Sequence, residues 1–265
     1  MRRRLIRLGA TAAVLAVANA LWAGGSAGAL LSALVTAVAL VEIRSGLAVR
    51  SRWRAMLSMA WVYWGLFSVS NLIEALVFRV IPLRAAEKAA FFELCVALLM
   101  AAVLEGLSRQ TEEPLRQETV LRGGLVWRLP MLALLFFVLY LMAGIAIQPW
   151  IMSFYAHRTL PSLQQLLVVQ FCRGLFDLSC VYPWYRQWAG GRGKAAWVSA
   201  YGFAALCGWG PLLLPNQYLP GPIRAAHAVE MGAGGIAFGL LTVYVLLKPK
   251  RVEASAVLAQ EAQLL

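Results

Sequence analysis

The chain has 265 residues, 61% of them hydrophobic and only 14% charged, with a mean hydropathy of +0.71. A soluble domain carries about a quarter charged residues, so this composition excludes an ordinary water-soluble globule. Lys and Arg outnumber Asp and Glu by 24 to 12, but they fall in short segments between apolar runs, a pattern of membrane topology and not of nucleic-acid binding.

Met1-Arg2-Arg3-Arg4 makes a basic start, and apolar residues then run from Leu8 to Val41. About 20 residues cross the hydrocarbon core, so this run divides into two spans, about 6–22 and 28–43, at Gly24-Gly25-Ser26-Ala27-Gly28. The basic start and Ala18-Asn19-Ala20 also fit a cleaved signal peptide, which would leave seven spans and an unchanged remainder. A basic loop with Arg44, Arg50, Arg52 and Arg54 leads to span three, about 55–79, rich in aromatics (Trp61, Tyr63, Trp64, Phe67). Pro82 precedes span four, about 88–107, and residues 108–128 form the longest polar segment. Pro130 starts span five and Pro149 ends it; Pro161 opens span six and Pro183 closes it. Span seven, about 195–214, stops at Pro211 and Pro215. Pro220 and Pro222 precede span eight, about 225–247, which Lys248-Pro249-Lys250-Arg251 ends. Proline suits the first turn of a helix and disrupts the interior, which is why these positions read as boundaries.

The expected fold is therefore an all-α, polytopic transmembrane helix bundle of about eight spans, one domain over 1–265, with both termini cytoplasmic. That orientation puts 18 of the 24 Lys and Arg on the cytoplasmic side and five outside, with Arg173 inside a span. Trp22, Trp53, Trp127, Trp150, Trp184, Trp188 and Trp197 fall near span ends, as an interfacial belt requires. Pro82-Leu83-Arg84-Ala85-Ala86 recurs 140 residues later as Pro222-Ile223-Arg224-Ala225-Ala226, with Glu93 and Glu230 following. Each copy precedes the last span of a four-span half, which raises a 4+4 parallel repeat of about 1–110 and 125–250. The cysteines Cys95, Cys172, Cys180 and Cys207 have no Cys-x-x-Cys spacing and read as small buried hydrophobes. Gly232, Gly235 and Gly239 offer small-x-x-small spacings for close helix packing.

An ionisable group inside a span is costly and marks a candidate site. Glu74 and Glu93 lie at similar depth below the outer ends of spans three and four, and Asn71 shares the face of Glu74. His227 and Glu230, at i,i+3 spacing in the first turns of span eight, can address one ligand or ion. His157 and Arg158 in the loop after span five, and Arg224 before span eight, stand at the same level. Glu42 and Glu105 lie near the cytoplasmic interface instead. This asymmetry points to a polar cavity open to the outside, with structural ion pairing as the alternative. Span six carries Gln170, Arg173 and Asp177 into the bilayer middle. An Arg173–Asp177 pair one turn apart is the simplest account; the other is that Arg173 reaches Glu74 or Glu230 to bind an anionic group or carry a proton step. His227, Glu230, His157, Glu74 and Glu93 could be assembled into a metal site. With only two histidines and no His-Glu-x-x-His, no metal and no cofactor is expected.

Leu160-Pro161-Ser162-Leu163, Gln170-Phe171-x-Arg173-Gly174 and Arg224-x-x-His227-x-x-Glu230 together resemble an uncharacterised family of bacterial polytopic inner-membrane proteins. The resemblance covers the second half of the chain and implies a multi-pass location in the bacterial inner (plasma) membrane, with no activity attached. The functional expectation is a transporter or translocator of a small or anionic ligand. A membrane accessory or sensor protein with a structural polar cluster, and an intramembrane hydrolase acting on lipid or peptide, stay open. The expected partners are the lipid bilayer, a small molecule or ion, and a membrane protein, with no nucleic acid.

Overall fold

In the computed structural model, which describes residues 2–48, 51–108, 119–157 and 160–250, the Gly-Gly-Ser run divides the first apolar stretch. Gly24 takes φ +79°, and Ser26 Oγ accepts the Ala29 N–H at 3.1 Å, so helix α1 (Arg2–Ala23) ends and α2 (Ala27–Ser45) begins within a few residues. Helix α3 covers Arg52–Val77, α4 Leu83–Gly106, α5 Leu125–Tyr155 and α6 Leu163–Gln187. Helix α7 runs without interruption through Arg192–Phe203, Ala204–Trp209 and Gly210–Leu213, and α8 covers Gly221–Leu246. Two three-residue strands, β1 (Thr119–Leu121) and β2 (Leu247–Pro249), pair antiparallel at the end of the bundle where the helical part of the chain starts and finishes.

The chain is thus all-α, with eight helices among the described residues, and seven of them are long and apolar enough to cross a membrane by length and composition. The exception is α7, which is built of small residues and is buried along much of its length, including Ala195, Ala196, Ala200, Ala204 and Ala205. A helix that faces other helices needs close approach more than a long aliphatic surface. Gly235 and Gly239 of α8 supply that approach. A Cβ on Gly235 would stand 2.8 Å from the Ala204 nitrogen, and one on Gly239 would stand 2.5 Å from the Ser199 carbonyl oxygen.

Four of the proline boundaries are corrected, Pro211 among them because α7 continues through it to Leu213. Pro130 and Pro149 lie inside α5, which extends to 31 residues, and Pro183 lies inside α6. A proline within a helix lacks an N–H and leaves the carbonyl four residues back without its bond. For Pro183 that carbonyl belongs to Ser179, and Trp61 Nε1 on α3 donates to it at 3.2 Å. A neighbouring helix thus repairs the ladder, as membrane bundles allow. Pro161 and Pro222 do stand at helix starts: Ser162 and Gln165 close a capping box on α6, and Pro222 sits in the first turn of α8.

Helices α3 and α7 each contain a six-residue π-helical segment, Trp64–Val69 and Ala204–Trp209, at positions 140 residues apart. The wider turn displaces backbone carbonyls from their usual partners. Asn71 Nδ2 donates to the Leu66 and Phe67 carbonyls at 3.1 and 3.0 Å, and Ser32 Oγ donates to the Gly210 carbonyl at 2.8 Å.

The packing follows a paired scheme. Helix α1 lies on α2 and α4, as α5 lies on α6 and α8, while α3 packs on α4 as α7 packs on α8. In addition, α3 meets α6 and α7 meets α2, and the two π segments touch one another. The loops after α2 and α6 also meet: Ala48 N–H donates to the Gln187 carbonyl at 2.8 Å and Ala189 N–H to that of Gly46 at 2.9 Å.

Trp184 and Trp188 are fully buried beside this junction, so they are core residues and not part of a belt. Trp22, Trp53, Trp127, Trp150 and Trp197 are exposed near helix ends. Of the cysteines, Cys180 and Cys207 are buried, whereas Cys95 and Cys172 are exposed on α4 and α6. At the end bearing the strands, Arg44 forms a buried ion pair with Glu105, and Arg4 pairs with Glu42. Tyr185, Ser199 and Thr242 join α6, α7 and α8 through a buried hydroxyl cluster, with Tyr185 Oη 2.7 Å from Thr242 Oγ1.

Candidate functional site

At the opposite end of the bundle lies a cavity of about 530 Å³, walled by the last turns of α1, α3, α5 and α7 and the first turns of α4, α6 and α8. Most of the wall is apolar, with Phe67, Phe78, Ile145, Ile151 and Leu212 among its residues. The polar exceptions include Asn71, Glu74, Glu93, Tyr140, Tyr155, His227 and Glu230, with Ser68, Gln148, Asn216 and Tyr218.

These side chains are organised in three groups. First, Glu74 forms an ion pair with Nη1 of Arg173, whose Nε donates to Ser70 Oγ at 2.7 Å. Arg173 is only 2% exposed and closes the floor from behind Glu74 instead of lining the cavity itself. The π segment of α3 ends at Val69, which sets Ser70 and Glu74 on the face that meets α6. Second, His227 Nδ1 pairs with a Glu230 carboxylate oxygen at 2.6 Å, and its Nε2 meets the Tyr155 hydroxyl at 3.1 Å. Their i,i+3 spacing makes them a bonded pair, with Tyr155 fixing the far side of the ring. Third, Glu93 accepts a hydrogen bond from the Tyr63 hydroxyl at 2.7 Å and is buried. Tyr140 has Glu74, Glu230 and Arg173 as its charged neighbours, which ties the first two groups together.

Of the residues singled out in the sequence, Asn71, Glu74, Glu93, His227 and Glu230 share this cavity. Asn71 also spends its amide on the carbonyls displaced by the π segment. Gln170 is wholly buried beside Arg173, with its Oε1 3.5 Å from Nη1. The Arg173–Asp177 pair is not formed. Arg173 turns across to α3, and neither carboxylate oxygen of Asp177 finds a hydrogen-bond partner of ordinary geometry among the described residues. His157 is exposed and stands outside the cavity wall, and Arg224 Nη1 donates to the Leu214 carbonyl at 2.5 Å. Arg158 lies outside the described residues. Ser70, Tyr140 and Tyr155 escaped the sequence reading, and Tyr63 entered it only as an aromatic of span three, because a tyrosine or serine in an apolar run carries no signal until its partner on another helix is known.

A second cavity of about 40 Å³ adjoins the first, with Tyr140, Glu230 and Met231 in both walls and Arg173, Cys207 and Phe238 closing its other sides. It has room for a water molecule or two.

No Lys or Arg among the described residues lines the large cavity, and the Arg173 guanidinium behind its floor is held by Glu74. An incoming anion would meet three carboxyl groups. A cation or hydrogen-bond donor with an apolar body would meet aromatic faces on the walls and carboxyl groups that it would have to share with Arg173, Tyr63 and His227. Among the described residues no three His, Cys, Asp or Glu side chains are placed to hold one metal ion. Comparison of the chain with protein-family models, curated proteins and solved structures found no match.

Proposed function

We propose that this multi-spanning membrane protein is a translocator of small amphipathic ligands that carry an apolar body and a cationic head. The observation that carries this reading is the cavity: apolar walls around Glu74, Glu93 and Glu230, with no free Lys or Arg among the described lining residues. An anion, which Arg173 alone would favour, is the poorer fit because Glu74 already occupies that guanidinium. The paired packing of the two halves favours transport over a fixed sensing surface. Two similar units meeting across one junction can rock about it and expose a central site to either side.

In this reading all eight helices cross the bacterial inner membrane, both termini are cytoplasmic, and the cavity faces outward. The two halves, about 1–110 and 125–250, are products of a parallel duplication. The π segments at the same 140-residue offset as the Pro-Leu/Ile-Arg-Ala-Ala pair support this.

The test uses two hydrophobic ions of nearly the same shape and opposite charge. Purified protein in lipid nanodiscs should bind tetraphenylphosphonium saturably and tetraphenylborate no better than empty nanodiscs do. Glu74→Gln and Glu230→Gln should each weaken tetraphenylphosphonium binding about tenfold or more, equivalent to about 1.4 kcal/mol. Proteoliposomes should also take up ethidium faster than protein-free vesicles. Equal binding of both ions would sink the charge argument, and binding without uptake would reduce the protein to a sensor.

A further inference from the structure

Asp177 is the ionisable group that the cavity does not explain. It is 0% exposed, sits one helical turn beyond Arg173 on α6, and has two carboxylate oxygens without an ordinary hydrogen-bond partner among the described residues. The groups around it are Arg173 and Cys180 on its own helix, Ser70 and Glu74 on α3, and Cys207 in the π segment of α7. Together with Asp177 itself, this set holds one cation and two carboxyl groups. Arg173 is committed to Glu74, so Asp177 has no ion pair of its own among the described residues. A buried carboxylate in that position is far more costly than the neutral acid. Among the described residues no three His, Cys, Asp or Glu side chains are placed to hold one metal ion, which leaves the proton.

We infer that Asp177 is a proton-carrying site, served from the large cavity through the small one and coupled to ligand occupancy by Arg173. The parts of the route adjoin one another, although Asp177 itself is in neither cavity wall. Glu230 and Tyr140 stand in the walls of both cavities, and Arg173 and Cys207, both neighbours of Asp177, close the small one. The coupling rests on the translocator reading and balances in charge. With the cavity empty, the Glu74 carboxylate holds the Arg173 guanidinium and Asp177 is a neutral acid. A cationic ligand takes over Glu74, and the released guanidinium swings one turn to Asp177. The Asp177 O–H bond breaks, its electron pair stays on the carboxylate that now pairs with Arg173, and the proton leaves by way of Glu230. One cation enters, one proton departs, and the buried site stays neutral throughout.

Two measurements on the full-length protein in sodium-free lipid films and nanodiscs test this. Infrared difference spectra between acid and alkaline conditions should contain a carboxylic C=O band that Asp177→Asn removes and Glu93→Gln leaves in place. Asp177→Ser, smaller and also neutral, should remove the same band. A band unchanged in both Asp177 variants would overturn the proposal. So would a band that sodium abolishes at constant pH, which would assign a metal cation in place of the proton. In weakly buffered solution, tetraphenylphosphonium binding should release about one proton per ion bound by the wild type and none from Asp177→Asn. The wild-type affinity should correspondingly rise about tenfold per pH unit while Asp177 is protonated, and the variant should be flat. Proton release persisting in Asp177→Asn would overturn the coupling. If the wild type binds no tetraphenylphosphonium, the translocator reading fails, while the infrared bands still decide whether Asp177 carries a proton.

Discussion

Replacing Arg173 tests most directly which buried group it serves. Arg173→Met keeps much of the side-chain volume and removes the guanidinium, leaving Glu74 without its ion-pair partner and Ser70 without the 2.7 Å bond from Nε. Breaking one side of a buried pair costs about 3–5 kcal/mol, because the surviving charge is left uncompensated. For a chain of this size that corresponds to a fall in apparent Tm of roughly 6–20 °C. The rescue is the decisive measurement. In the double variant Glu74→Gln/Arg173→Met the unpaired carboxylate is gone, so about 2 kcal/mol or more of the loss should return. Asp177→Asn/Arg173→Met should return little, since Asp177 is not the partner of Arg173 and its neutral acid loses no ion pair. Thermal unfolding of purified protein, followed by intrinsic fluorescence and size-exclusion chromatography, reads each single and double variant. Rescue by Asp177→Asn and not by Glu74→Gln would refute the assignment and restore the intrahelical pair. Additivity within about 0.5 kcal/mol in both cycles would mean that Arg173 is coupled to neither acid.

Gly239→Leu should block the approach of α8 to α7, since even a Cβ there would lie 2.5 Å from the Ser199 carbonyl oxygen. The overpacking should cost about 1–3 kcal/mol and appear as a lower apparent Tm, while Leu at the open position Gly234 should be tolerated. Trp61→Phe keeps an aromatic ring and deletes the N–H that satisfies the Ser179 carbonyl opposite Pro183. The loss should be about 1 kcal/mol, and Pro183→Ala in the same chain should recover most of it, because the carbonyl then regains an intrahelical donor. Equal losses from Trp61→Phe with Pro183 in place and in the Pro183→Ala background would show that the indole does not repair the proline gap.

Much of the architecture could be read along the chain. The Gly-Gly-Ser turn, Ser162 with Gln165, and Pro222 all act within a few residues of themselves, so helix starts and stops at these points are local properties. The hydropathy of the runs between them settles that they are membrane-length helices. The crowding of Glu74, Glu93, His227 and Glu230 at one end was legible for the same reason, since depth follows from distance to the nearest loop.

Partnership was not legible, because it depends on the rotation and approach of helices that the chain connects only distantly. Pro183 looks like a terminator until Trp61, 118 residues from the orphaned Ser179 carbonyl, is seen to supply the missing donor. Trp184 and Trp188 look interfacial until packing at the meeting of the loops after α2 and α6 buries them. Arg173 has a carboxylate one turn away on its own helix, yet it pairs with Glu74, 99 residues distant, because α3 brings both Ser70 and Glu74 within reach of the guanidinium. The sequence by itself determined that this chain is a bundle of apolar helices with acids gathered at one end. The tertiary structure alone decided that Arg173 pairs with Glu74 and that Asp177 forms no ion pair among the described residues. Hydropathy and capping act through bonded neighbours, whereas charge pairing in a bundle acts across the gaps between helices.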